Sequence, residues 1–149
     1  MSLKSALVQH CLSFLSQKIE TIEDTISELK RSAASETKSS VGDKYETGRA
    51  MIQLEIEKNL VQLKVWKSQY AEVERIDPNK SNDRVDLGAI VKCSHANFFI
   101  AQACAKVIVG DETYFTISPE APIAKAMLNK VKDSEFIFNS TKIRIEDIL

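Results

Sequence analysis

Apolar residues recur at helical spacing through the first half of the chain and at strand spacing through the second. From about Leu3 to Ala34, the positions Leu12, Leu15, Ile19, Ile22, Ile26, Leu29 and Ala33 alternate steps of three and four. That is the signature of a heptad seam. Gln17, Lys18, Glu20, Glu23, Asp24, Glu28 and Lys30 fill the other faces, and Val8, Cys11 and Phe14 widen the apolar stripe near its start. A second such segment runs from about Lys44 to Arg75, with Ile52, Ile56, Leu63, Trp66, Tyr70 and Val73 in the seam and Asn59 filling the gap. Leu54, Leu60, Val61 and Val65 are expected to broaden its stripe, and a polar Asn in a seam can fix register. The polar stretch Ser35 to Glu46 separates the two segments. Joined there, they predict an antiparallel helical hairpin. Helices of ~30 residues at ~1.5 Å per residue would reach about 45 Å.

The period changes after Asp77-Pro78. Pro78 stops the helix and the polar residues through Asp83 read as a linker, placing a domain boundary near residue 78. Ala89–Cys93, Phe98–Cys104 and Thr113–Ile117 read as strands, with turns at Ser94–Asn97 and at Gly110-Asp111. Glu135–Phe138 and Lys142–Ile145 predict a terminal hairpin. Pro122–Leu128 predicts a short helix with Pro near its first position and Asn129 closing it in a left-handed conformation. About five strands and one helix make a small α+β domain. The expected organisation is therefore a coiled-coil hairpin over 1–77, with its tip near 35–46, and an α+β domain over 78–149.

Composition narrows the function classes. The 149 residues carry 20 Lys+Arg against 21 Asp+Glu, so no basic excess invites free nucleic acid. The balance holds in both halves: 11 against 11 through Ile76, and 9 against 10 beyond it. No apolar run approaches the ~20 residues of a membrane span. Polar residues interrupt the N-terminal apolar positions, so a signal peptide is not expected. Cys11, Cys93 and Cys104 are odd in number and widely spaced, which favours a reducing cytoplasm.

Catalytic signatures such as G-x-S-x-G, H-E-x-x-H and the P-loop are absent. Cys93 and His95 form a C-x-H too short of ligands for a metal site. His10-Cys11 is read as a partly buried Cys beside a surface His on the first helix. A self-contained active site is not expected. Asp43 and Glu46, three apart where the second helix begins, suit either of two roles. They can cap that helix, Asp on the first turn and Glu reaching back to the cap amide, or face one cation. Tyr45 suits packing across the top of the hairpin or stacking on an RNA base. Lys44 and Arg49 suit a solvated helix face or a phosphate.

Val41-Gly42-Asp43-Lys44-Tyr45-Glu46, between the heptad segments, resembles the tip of the Gre-family transcript cleavage factors of bacterial RNA polymerase. Those proteins carry Gly-Asp with a Glu three residues after the Asp. Ile117-Ser118-Pro119-Glu120-Ala121-Pro122-Ile123-Ala124-Lys125-Ala126-Met127-Leu128-Asn129-Lys130 is similar to the family's I-S-x-x-S-P-[IL]-A-[RK]-A-L-[IL]-G-K segment. Ala121 stands where the family has Ser, and Asn129 where it has Gly. At the tip, Tyr45 and Thr47-Gly48-Arg49 replace several family positions.

The resemblance implies a small FKBP-like antiparallel β domain after the coiled coil, without prolyl isomerase activity, since fold does not carry function. It implies a monomeric cytoplasmic factor of transcription elongation and regulation, with DNA binding, whose coiled coil enters the polymerase secondary channel. Asp43 and Glu46 would there help hold Mg²⁺ at the polymerase active site and stimulate hydrolysis of backtracked RNA at its 3′ end. Gly42, Lys44, Tyr45 and Arg49 would form the tip contact. Ser118, Pro122, Ile123 and Lys125 would dock on the polymerase. Mg²⁺ would be held only in that complex, and the chain would not be an enzyme alone. Two alternatives stay open: a polymerase regulator using the same channel without cleavage, and a coiled-coil module unrelated to polymerase.

Overall fold

A computed structural model describes the backbone of residues 2–36 and 42–149, and side chains over 2–35 and 47–149. The chain is α+β: α1 (Leu3–Glu36), α2 (Gly42–Glu74), β1 (Ile90–Cys93), β2 (Asn97–Ile100), β3 (Lys106–Val109), β4 (Glu112–Ile117), α3 (Pro122–Met127), β5 (Glu135–Phe138) and β6 (Thr141–Ile148). It divides into two compact units, residues 15–69 and residues 1–14 with 70–149. Both helices run further into the Ser35–Glu46 stretch than its polar composition suggested. Ser and Glu do not break helices, and acidic residues are favourable in an opening turn because of the positive end of the helix dipole.

In the unit of residues 15–69 the seam is as the periodicity predicts. Leu15, Ile26 and Ile56 are buried, and Ile19, Ile22, Leu29, Ile52, Leu63 and Trp66 are half-buried. Glu23 Oε2 on α1 lies 4.0 Å from Lys67 Nζ on α2. The expected broadening on α2 is not observed. Leu54 is 65% and Val61 67% exposed, and Leu60 and Val65 are also exposed. At ~100° per residue, Leu54, Val61 and Val65 fall on the side of α2 away from the seam. Asn59 donates its Nδ2 to the Glu55 carbonyl at 2.8 Å, so its amide bonds its own helix.

The other unit contains a six-stranded sheet in the order β3-β4-β2-β1-β6-β5. It has one strand more than the sequence suggested. The run Phe98–Cys104 leaves the sheet at Ile100, turns through Ala105 at φ 63° and returns as the edge strand β3. All pairs are antiparallel except β2 with β4, which run parallel in the register Phe98↔Phe115 and Phe99↔Thr116. Alternation along β1 and β2 sends side chains to both faces, and both faces are buried. Val91, Phe98 and Ile100 join a core with Ala124, Met127, Phe136, Ile143 and Ile145. Ile90, Phe99 and Tyr114, on the opposite face, are fully buried as well.

The first turns of α1 and the segment after α2 belong to this unit. Ser2 caps α1, its Oγ accepting the Ser5 N–H at 3.1 Å. The expected linker at Asp77–Asp83 is tied down. Asp77 accepts the Asn79 amide at 2.9 Å, and Lys4 Nζ donates to the Lys80 carbonyl at 2.7 Å and to Asn82 Oδ1 at 2.9 Å. Gly88 sits at φ 86°, and a Cβ there would lie 3.1 Å from Ile76 Cγ2. Its lack of a side chain meets both the left-handed backbone and the close approach.

Candidate functional site

Two stretches hold the residues singled out in the sequence, one in each unit. Gly42, Asp43, Lys44, Tyr45 and Glu46 form the opening of α2. Asp43 and Glu46 are thus about one helical turn apart on continuous helical backbone. Their side chains, and the choice between capping and metal binding, lie outside the described residues. Arg49 follows on the same helix and is exposed.

The second stretch is the corner from β4 into α3. Ser118 Oγ accepts the Glu120 N–H at 3.1 Å and also bonds the Glu120 carboxylate. The Ser118 hydroxyl bond first, and then the backbone amide of Glu120 itself, lower the Glu120 pKa. Ala121 is the N-cap residue, extended at φ −60° and ψ 141°, and has no side-chain cap bond. The Ser found at this place in the family motif would supply such a bond. Pro122 opens α3, where its missing N–H leaves nothing unsatisfied. Asn129 adopts φ 63°, as expected from its place at the helix end. Its amide donates to the Val85 carbonyl at 2.9 Å. Ser118, Pro122, Ile123 and Lys125 therefore share one corner. Pro122 and Lys125 face solvent, Ser118 is half-buried, and Ile123 packs against the core beside Ala124 and Met127.

Elsewhere the polar groups found in the sequence have structural partners. His95 Nδ1 lies 3.0 Å from Ser94 Oγ, while Cys93 Sγ lies 3.9 Å from Met127 Sδ. Burial pushes the Cys93 thiol up to about 11. Among the described residues no three His, Cys, Asp or Glu side chains gather as metal ligands, and no helix is long and apolar enough to cross a membrane.

Three arrangements had no sequence signal. Glu112 Oε2 accepts from Tyr114 Oη at 2.7 Å and from Lys92 Nζ at 3.0 Å. Tyr114 and Lys92 both lower the Glu112 pKa, and the Glu112 bond raises that of Lys92. Lys4 is buried, and desolvation lowers its pKa. His10, expected at the surface, is half-buried, with Nε2 2.7 Å from the Cys104 carbonyl.

No family model matches the chain, and no curated protein does. A solved structure of the transcription factor Gfh1 is similar over 93% of this chain and 92% of that one, at 16% identity and a TM-score of 0.35. A likeness that weak carries no inference about function, so the functional reading rests on the chain's own residues.

Proposed function

We propose that this chain is a Gre-like elongation factor that binds RNA polymerase through its secondary channel and stimulates cleavage of backtracked RNA. The observation that carries the reading is that Gly42-Asp43-x-x-Glu46 opens α2, so Asp43 and Glu46 stand three residues apart on the first turns of a long helix. The β4–α3 corner supports it independently, because Pro122 and Asn129 occupy the helix start and the left-handed stop that the family motif requires.

Two carboxylates fit Mg²⁺, which accepts one or two such ligands and keeps other positions for water and phosphate oxygens. When bound, the ion supplies charge stabilisation for the oxygens exchanged in RNA hydrolysis. Asp43 and Glu46 hold and orient it. The remaining ligands come from the polymerase, so the chain is no enzyme alone. Lys44, Tyr45 and Arg49 flank the pair on the same helix, and Ser118, Pro122 and Lys125 offer the docking corner. The replacements at Tyr45 and Thr47-Gly48-Arg49 favour a second reading, a channel-binding regulator without cleavage.

A transcript-cleavage assay with cognate polymerase separates these readings. Wild type is expected to release short RNA in a Mg²⁺-dependent way. Asp43→Asn with Glu46→Gln is expected to abolish the release while polymerase binding persists. Cleavage unchanged in the double variant removes the carboxylates from the mechanism. Competition with a cleavage factor, without RNA release by wild type, selects the regulator.

A further inference from the structure

Among the described residues of the 15–69 unit, every exposed large apolar side chain lies on α2: Met51, Leu54, Leu60, Val61 and Val65. The seam through Ile52, Ile56, Leu63 and Trp66 occupies the other side of that helix. Four of the five exposed residues are regularly spaced. Met51, Leu54, Val61 and Val65, with Lys58 in the gap, follow steps of three, four, three and four. A second helix packing at heptad spacing requires that rhythm, and a solvated face does not. Met51 is 63% and Val65 42% exposed. The four side chains together expose on the order of 400 Å², the size of a functional patch on a monomer.

We infer that this stripe is a second, intermolecular seam, occupied by the same stripe of a second copy of the chain packed antiparallel about a two-fold axis. A two-fold interface sets one patch against itself, so Lys58 decides the orientation. In a parallel in-register pair Lys58 would face Lys58, while Glu57 and Lys64 would meet Gln62 and Gln69. That arrangement brings like charges together and pairs no opposite ones. With the copies antiparallel and the axis between residues 59 and 60, the layers become Met51 with Ser68, Leu54 with Val65, and Lys58 with Val61 of the second copy. The Lys58 stem then covers Val61 while its ammonium reaches water. A single Lys in a seam fixes orientation in this way at some cost in stability.

The flanks agree with the layers. On one side Glu57 of each copy meets Lys64 of the other, which gives two opposite-charge pairs by symmetry. On the other side Glu55 lies beside Gln62, without a like-charge contact. Glu57, Lys58 and Lys64 are exposed, and none of them is in an ion pair among the described residues. With its flanks the stripe covers roughly 500 Å² on each copy, about 1,000 Å² in all, which is the threshold of a specific interface. The dimer is therefore weak, with a dissociation constant on the order of 10–100 µM. The pairing uses residues 51–68 of α2 and does not depend on the polymerase reading.

Sedimentation velocity of the full chain from ~5 to ~300 µM, in about 50 mM salt where screening is weak, measures the pairing. Wild type should pass from monomer to dimer across that range. Val61→Glu, at a side chain that is 67% exposed, should raise the dissociation constant about tenfold or more. Its circular dichroism and dilute melting temperature should match wild type. Leu60→Glu, exposed but off the stripe, should leave the dimer unchanged. Glu57→Lys and Lys64→Glu should each weaken pairing several-fold, because each sets like charges together twice. An equimolar mixture of those two variants should pair again as a heterodimer, since every flanking contact is then between opposite charges. Wild type that stays monomeric at ~300 µM leaves the stripe to some other occupant and overturns the inference. A dimer indifferent to Val61→Glu also overturns it, as does one equally sensitive to Leu60→Glu. A mixture that remains monomeric removes the antiparallel register and with it the proposal.

Discussion

Thr116 is a small residue on which the path between β2 and β3 depends. Its side chain is buried, and Oγ1 accepts the Cys104 N–H at 2.8 Å while donating to the Ala105 carbonyl at 2.6 Å. Ala105 holds a left-handed backbone at φ 63° without being glycine, which costs free energy that local bonds must offset. Thr116→Val keeps the branched shape and removes both bonds. Leaving the Cys104 amide buried and unpaired costs ~1–3 kcal/mol, and the second bond contributes about 1 kcal/mol. The added methyl recovers less than 1 kcal/mol. The net loss is about 2–3 kcal/mol, a fall in melting temperature of roughly 5–12 °C for a chain of this length. Thr116→Ser keeps the hydroxyl and loses a methyl, costing about 1 kcal/mol. Thermal and urea unfolding of the reduced proteins measure both variants, and hydrogen exchange should show the Cys104 amide losing protection only in the valine variant. A valine variant within ~0.5 kcal/mol of wild type, or one more stable than the serine variant, would refute this account of the bend.

Two further outcomes test the helical pair and the sheet. Leu15→Ala and Ile56→Ala should each cost ~2–4 kcal/mol in urea unfolding, whereas Leu54→Ala and Val61→Ala should change stability by about 0.5 kcal/mol or less; equal costs on the two faces would contradict the observed seam. Glu112 has its pKa held below the usual 4.5 by Tyr114 and Lys92, so the stability it contributes is complete above that value and is lost as pH falls through the lowered one. Glu112→Gln should therefore flatten the acid limb of the stability profile, and an unchanged slope below pH ~4.5 would remove the carboxylate from that linkage.

How much was legible in advance follows from the distance over which each feature is decided. The seam residues are set by spacing within a few turns, so Leu15, Ile19, Ile26 and Ile56 could be read directly. Leu54, Val61 and Val65 were instead placed by apolar identity, which says what a residue tolerates, while the side of the helix facing its partner decides what is buried. Alpha3 was legible because Pro122 and Asn129 each have a backbone preference that marks one end of a helix. Beta3 was obscured because nothing in Ala105 announces a positive φ, although the β-branched run before Gly110-Asp111 was a usable hairpin signal.

The candidate site divides along the same line. Gly42, Asp43 and Glu46, like Ser118 to Lys125, are neighbours in sequence, so a motif can carry them whatever the rest of the chain does. The contacts that fasten α1 to the rest of its unit join residues as far apart as His10 and Cys104, 94 positions in sequence, and Lys4 and Asn82, 78 positions. No periodicity encodes such pairs, since each depends on where two separately folded segments come to rest. The surroundings of the cysteines are likewise invisible from the spacing of Cys11, Cys93 and Cys104 alone, where an odd count suggests only that none is bridged. Placement separates them: Cys93 lies against the Met127 thioether, while Cys104 lies in the segment whose carbonyl meets His10 on α1.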